Sequence, residues 1–211
     1  MRSHSGQRGA FLCALFATLL ADCGMPFSQV KYDSYYECGL AESRAGNRDG
    51  ASRCFSRAVT NAQRGRLGPE SESASLFEYA KAIGHQCYYD EARTSFQRSL
   101  ELEEQLAAPR PKMQVVVLVE LARLDLDTGQ YTEAVHWYER EIPALRKVAV
   151  DRADPIAFAD ELDDFATALE QTGGGARATA LRQESAQIRA DHPGELPATV
   201  AEHYPKDCKK P

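Results

Sequence analysis

Residues 129–138 read Gly129-Gln130-Tyr131-Thr132-Glu133-Ala134-Val135-His136-Trp137-Tyr138, and the same arrangement returns three more times in the chain. The other copies are Gly46-Asn47-Arg48-Asp49-Gly50-Ala51-Ser52-Arg53-Cys54-Phe55, Cys87-Tyr88-Tyr89-Asp90-Glu91-Ala92-Arg93-Thr94-Ser95-Phe96 and Gly173-Gly174-Gly175-Ala176-Arg177-Ala178-Thr179-Ala180-Leu181-Arg182. The shared alanines, Ala51, Ala92, Ala134 and Ala178, stand 41, 42 and 44 residues apart. Twelve residues before each lies another small residue: Gly39, Ala80, Ala122 and Ala166. A small residue on one helix lets a second helix approach closely. A Gly five residues before the alanine ends the first helix in the left-handed conformation. The aromatic one turn later (Phe55, Phe96, Tyr138) fills the space beside the small pair. Each unit is therefore a helix, a tight turn and an antiparallel helix. One such unit cannot bury its apolar face alone, so the units must stack.

These residues resemble the tetratricopeptide repeat family, in its long variant with a period near 42. The resemblance covers residues 32–192 and implies an all-α fold: a right-handed superhelical solenoid of about four antiparallel helix pairs. The fourth unit fits least, with Arg182 in the aromatic place and three glycines in its turn. Glu42 and Asp125 stand where large apolar residues are usual. Pro69, Pro109, Pro111 and Pro155 separate the units, each just ahead of a first helix, where proline stops one helix without harming the next. Residues 193–211 carry Pro193, Pro197, Pro205 and Pro211 and read as an irregular tail.

In this family one face of each first helix lines a ligand groove. Carried onto this chain, the lining is Tyr36, Glu37, Leu40, Phe77, Glu78, Lys81, Val119, Glu120, Arg123, Asp163 and Asp164. The groove would set an apolar column (Tyr36, Phe77, Val119) beside a row of carboxylates (Glu37, Glu78, Glu120, Asp164). That chemistry suits an extended or helical protein segment with apolar anchors and Lys or Arg residues. Glu78 and Glu120 also precede Lys81 and Arg123 by three residues, a spacing that stabilises an exposed helix without any ligand.

The beginning of the chain differs from the rest. Arg2 and Arg8 precede an uncharged apolar run, residues 10–21. It is too short to span a bilayer, which takes about 20 residues, but it has the order of a secretory signal peptide. Leu20-Ala21-Asp22-Cys23 resembles the bacterial lipobox, departing from it at Asp22. This implies a signal peptide over 1–22, a linker over 23–31 and a lipid anchor on Cys23, hence a place on the periplasmic side of a bacterial membrane. The alternatives are simple cleavage, giving a secreted or periplasmic protein without the anchor, and initiation at Met25, giving a cytoplasmic one. Removing Cys13 and Cys23 leaves four of the six cysteines, an even number suited to an oxidising compartment. Cys38 and Cys54 sit on the two helices of the first unit, as a disulfide or as buried thiols. Cys87 takes the turn place held by Gly elsewhere, and a bond to Cys208 would tie down the tail.

The net charge is −6, with no basic stripe, which argues against nucleic-acid binding. The glycines at 173–175 lack the strand and the Gly-Lys-Ser/Thr of a phosphate loop. The histidines (His4, His85, His136, His192, His203) share no register with the cysteines that would make a metal site. The acidic cluster Asp160, Glu161, Asp163 and Asp164 suits a helix start. No catalytic residue and no cofactor is assigned. The expectation is a non-catalytic module that holds a partner in its groove. The rival is an envelope assembly factor that works through its outer faces while its groove is filled by its own chain or a neighbour.

Overall fold

A computed structural model describes residues 25–206. Helix α1 (Met25–Arg44) pairs with α2 (Arg48–Gly65), α3 (Pro69–Gly84) with α4 (Tyr89–Glu104), and α5 (Pro111–Asp127) with α6 (Tyr131–Lys147). After a four-residue helix α7 (Val150–Ala153), α8 (Pro155–Gln171) pairs with α9 (Gly175–Asp191). No strand occurs among the described residues, and none of their helices is long and apolar enough to cross a membrane.

All four pairs close with the same turn. Gly46, Cys87, Gly129 and Gly173 take φ values of 73°, 72°, 74° and 85°. The following N–H then donates to the carbonyl five residues back: Asn47 to Glu42 (2.9 Å), Tyr88 to Ile83 (3.1 Å), Gln130 to Asp125 (2.8 Å) and Gly174 to Leu169 (2.8 Å). Such bonds satisfy carbonyls that a helix end otherwise leaves bare. At the other ends, Pro69, Pro111 and Pro155 are the first residues of α3, α5 and α8, where no N–H is needed.

The small residues sit where two helices meet. Gly39, Ala80, Ala122 and Ala166 are buried, as are the four alanines opposite them. A Cβ on Gly39 would lie 2.5 Å from the ring of Phe55, so at that position only Gly fits. Phe55, Phe96 and Tyr138 are fully enclosed. Arg182, in the same place of the last pair, instead reaches Glu170 at 2.9 Å. Asp125 is explained by its partners: buried, it accepts hydrogen bonds from Trp137 Nε1 (3.0 Å) and Arg93 Nε (2.6 Å). One continuous core runs from Phe77 to Ala178 and includes Tyr204 from the tail.

One boundary differs from expectation. Helix α1 begins at Met25, inside the stretch 23–31 read as a linker, and Gln29 bonds Asp33 along it at 2.8 Å. That stretch lacks the periodic apolar spacing by which a helix is read. The signal-like residues 1–22, Cys23 and Cys208 lie outside the described residues.

Candidate functional site

Residues 192–206, beyond α9, have no helix or strand, yet they are held by fixed partners. It turns back over the face made by the first helices α3, α5 and α8. The Thr199 N–H donates to Asp154 Oδ2, the cap of α8, at 3.2 Å. Glu202, His203, Tyr204 and Pro205 then enter the groove.

Tyr204 occupies a built slot and is only 2% exposed. Gly84, the last residue of α3, forms its floor; a Cβ there would lie 2.6 Å from the ring. The His85 ring stacks on it, with centroids 4.6 Å apart and planes 25° from parallel. The phenol donates to Glu120 Oε2 at 2.6 Å, and the Tyr204 N–H donates to Asp127 Oδ2 at 2.8 Å. Burial pushes the phenol pKa well up, and the Glu120 charge adds to this, so the hydroxyl keeps the proton it donates. Burial also lowers the His85 pKa, helped by the Arg48 charge, which favours a neutral ring against the tyrosine.

The neighbours of Tyr204 separate by charge. Glu202 pairs with Arg48 and lies 3.7 Å from His85 Nε2. Both line a hollow of about 220 Å³ together with Lys81 and Glu78. On the other side His203 Nδ1 stands 3.0 Å from Asp127 Oδ1. Beside it is a second hollow, of about 250 Å³, lined by Asp127, Asp164, His203 and Lys206. Tyr89 Oη donates to the Pro205 carbonyl.

Below the slot, Glu120 Oε1 lies 3.7 Å from both Lys81 and Arg123, and Arg123 reaches Glu161 at 2.7 Å. Next to Glu161 sits Glu141, buried, whose protonated carboxyl donates to that of Glu161. Burial pushes Glu141 well above the usual carboxylate range, and the charge of Glu161 pushes it further. Glu161 itself is pushed up to about 6, chiefly by burial, against the pull of Arg123.

The structure sorts the residues expected to line the groove. Glu78, Lys81, Glu120, Arg123 and Asp164 surround the tail or support those that do. Phe77 does not: it is 6% exposed and packs on Phe96 at 5.7 Å, because its ring serves the contact between α3 and α4. Tyr36 is half-buried and stands edge-on to Phe55 at 5.7 Å, and Leu40 joins the same cluster. Val119 is half-buried against the main core. The apolar column therefore holds repeats together and is no open anchor surface. Asp163 faces α9, accepting from Ser185 Oγ at 2.6 Å and pairing with Arg189 at 2.9 Å. Glu37 is exposed, away from the tail.

Cys38 and Cys54 are joined, with the sulfurs 2.11 Å apart. Cys87 is also disulfide-bonded.

Sequence reading missed Arg48, Gly84, His85, Asp127 and Tyr204. One clue was present. Three residues before each turn stand Ser43, Gly84, Leu126 and Glu170, so only the second repeat leaves that place empty of a side chain.

No family model matches the chain, and no curated protein matches it by sequence. Solved structures do match. BtubC (BKLC) from P. vanneervenii superposes with a TM-score of 0.69 at 16% identity, over 85% of this chain and 71% of that one. A Podosopora anserina putative kinesin light chain with nearly identical TPR-like repeats superposes with a TM-score of 0.61 at 22% identity, over 78% and 77%. The fold is a tetratricopeptide-like repeat solenoid.

Proposed function

We propose that this protein is a non-catalytic scaffold whose concave groove takes up a segment of a partner protein, and whose own C-terminal tail occupies that groove at rest. The observation that carries this reading is the Tyr204 slot. A buried ring with its hydroxyl and its N–H both bonded to buried carboxylates is how a protein holds a specific peptide, not how it covers a greasy surface. The likeness to repeat solenoids supports the coarser part, a helical scaffold for protein contacts. The slot supports the finer part. A tail tethered beside its own site acts at an effective concentration in the millimolar range, so a partner must compete with it.

The filled groove also favours a second reading, in which the protein assembles a larger complex through its outer faces and the tail is a permanent plug. Photo-crosslinking in membranes separates the two. A crosslinker in place of Lys81, beside the slot, should capture a partner, and capture should rise when Tyr204→Ala loosens the tail. A crosslinker at exposed Thr94 on α4 should then capture nothing that responds to Tyr204→Ala. Capture at Thr94 alone, indifferent to that change, establishes the second reading.

The placement we propose is the periplasmic side of a bacterial membrane, held by lipid on Cys23. The charged-then-apolar start and the paired cysteines support it. Cys23→Ser should release the protein from membranes into the soluble fraction; unchanged membrane retention would refute the anchor.

A further inference from the structure

We infer that the groove selects an extended partner segment in a fixed register: a carboxylate two residues before a tyrosine, and basic groups immediately before it and two residues after it. This rests on the groove reading above and specifies its ligand. The tail itself, Glu202-His203-Tyr204-Pro205-Lys206, displays the pattern.

Three features define the register. The first is the tyrosine slot. Gly84 leaves room for a ring and His85 gives it a face, but Glu120 makes the slot one for tyrosine. Phenylalanine would fill the same space and leave a buried carboxylate oxygen without its donor. A site built to bond a hydroxyl rejects the analogue that lacks it. The second is charge. The place two residues before the ring pairs with Arg48 and lies beside His85, in a hollow where two cations, Arg48 and Lys81, face the one carboxylate of Glu78, so a carboxylate is favoured there over a cation. The places just before the ring and two after it face Asp127 and Asp164, with the reverse preference. The third is the backbone. The tyrosine N–H bonds Asp127 and the next carbonyl accepts from Tyr89, which holds any sequence extended and in one direction. The next residue, Pro205, has no N–H to satisfy.

The occupant is a partner protein's segment and not a second copy's tail. Only a short run of chain separates Asp191, the end of α9, from Thr199 on Asp154, so each tail reaches its own groove. The resident tail then sets the threshold that a partner must exceed.

The test uses full-length Tyr204→Ala protein and a fluorescent peptide copying residues 198–206, followed by anisotropy. The peptide should bind this variant at least tenfold more tightly than it binds the wild type, whose tail competes. A peptide with phenylalanine for the tyrosine should bind at least tenfold more weakly than its parent. So should one with Glu202→Lys, and adding Gly84→Leu to the protein should abolish binding while helical circular dichroism is retained. Should Tyr204→Ala fail to fold, excess peptide added to wild type should speed hydrogen exchange in the protein's own tail. Equal binding of the tyrosine and phenylalanine peptides would overturn the register and leave the groove reading standing. No binding to folded Tyr204→Ala would overturn the inference, with the crosslink at Lys81 deciding the groove reading separately. A concentration-dependent wild-type dimer that Tyr204→Ala dissolves would overturn the choice of occupant in favour of a second copy.

Discussion

Glu141 is buried against a second carboxyl, that of Glu161, and this makes it a reporter of pH. It lies between α5, α6 and α8 beside Glu161, Arg123 and the Tyr138 phenol, with the half-buried Asp164 nearby. The folded chain keeps a proton here that the unfolded chain releases above its ordinary value of 4.5. A carboxyl raised in this way costs stability as pH climbs from the unfolded value through the folded one, because the unfolded state then binds fewer protons. The loss begins near 4.5, passes through about 6 for Glu161 and continues higher for Glu141. Glu141→Gln removes Glu141's share of the dependence and leaves that of Glu161, which its own burial raises. The variant should match wild type near pH 5 and exceed it near pH 8, read from thermal melts across pH. A gain of the same size at both pH values would contradict the assignment. Gly39 supports a second residue-scale prediction. Its missing Cβ makes room for the enclosed Phe55 ring, so Gly39→Ala should lose about 1–3 kcal/mol in urea unfolding, even though alanine is the better helix former. A gain in stability would show that the ring can move aside.

At the scale of the helix pair, the sequence was most informative. The turn, the small residues on each side of it and the aromatic after it are local features, and each has one steric explanation. All four turns and all eight small positions fall where the register puts them. Asp125 broke the pattern because its partners, Trp137 and Arg93, lie on other helices. The fourth pair departs because an array's last unit has no neighbour to fill, and ion pairs replace the aromatic. In the first pair, Cys38–Cys54 joins residues 16 apart on α1 and α2. This pair contributes only small clusters (Tyr32, Ala58, Ala62 and Ala51, Phe55, Ala82) and stands outside the main core. It should therefore depend on the bond. Replacing both cysteines by serine should lower stability by about 3 kcal/mol and raise hydrogen exchange in α1 and α2 first. Uniform loosening of all four pairs would show that the first pair folds with the rest and not through its staple.

The arrangement of the whole molecule was the least legible. The contacts that fill the groove join residues 154 apart (Arg48 with Glu202) and 84 apart (Tyr204 with Glu120), and no periodicity links such positions. Composition marked the tail as irregular, but backbone without helix or strand, as at residues 195–205, can still be bound by fixed partners. Of the expected lining, the charged residues Glu78, Glu120 and Asp164 stand around the tail. Phe77 and Tyr36 pack against Phe96 and Phe55 instead, because an apolar residue on a first helix is as readily claimed by the neighbouring helix as by a ligand.

The tail is held in the groove, and amide hydrogen exchange of the wild-type protein measures this directly. The Tyr204 N–H, bonded to buried Asp127, should exchange at least a hundredfold more slowly than in the free peptide of residues 198–206, and Tyr204→Ala should remove the protection of its neighbours. Exchange of the tail at the free-peptide rate, in a protein whose helices remain protected, would contradict the account.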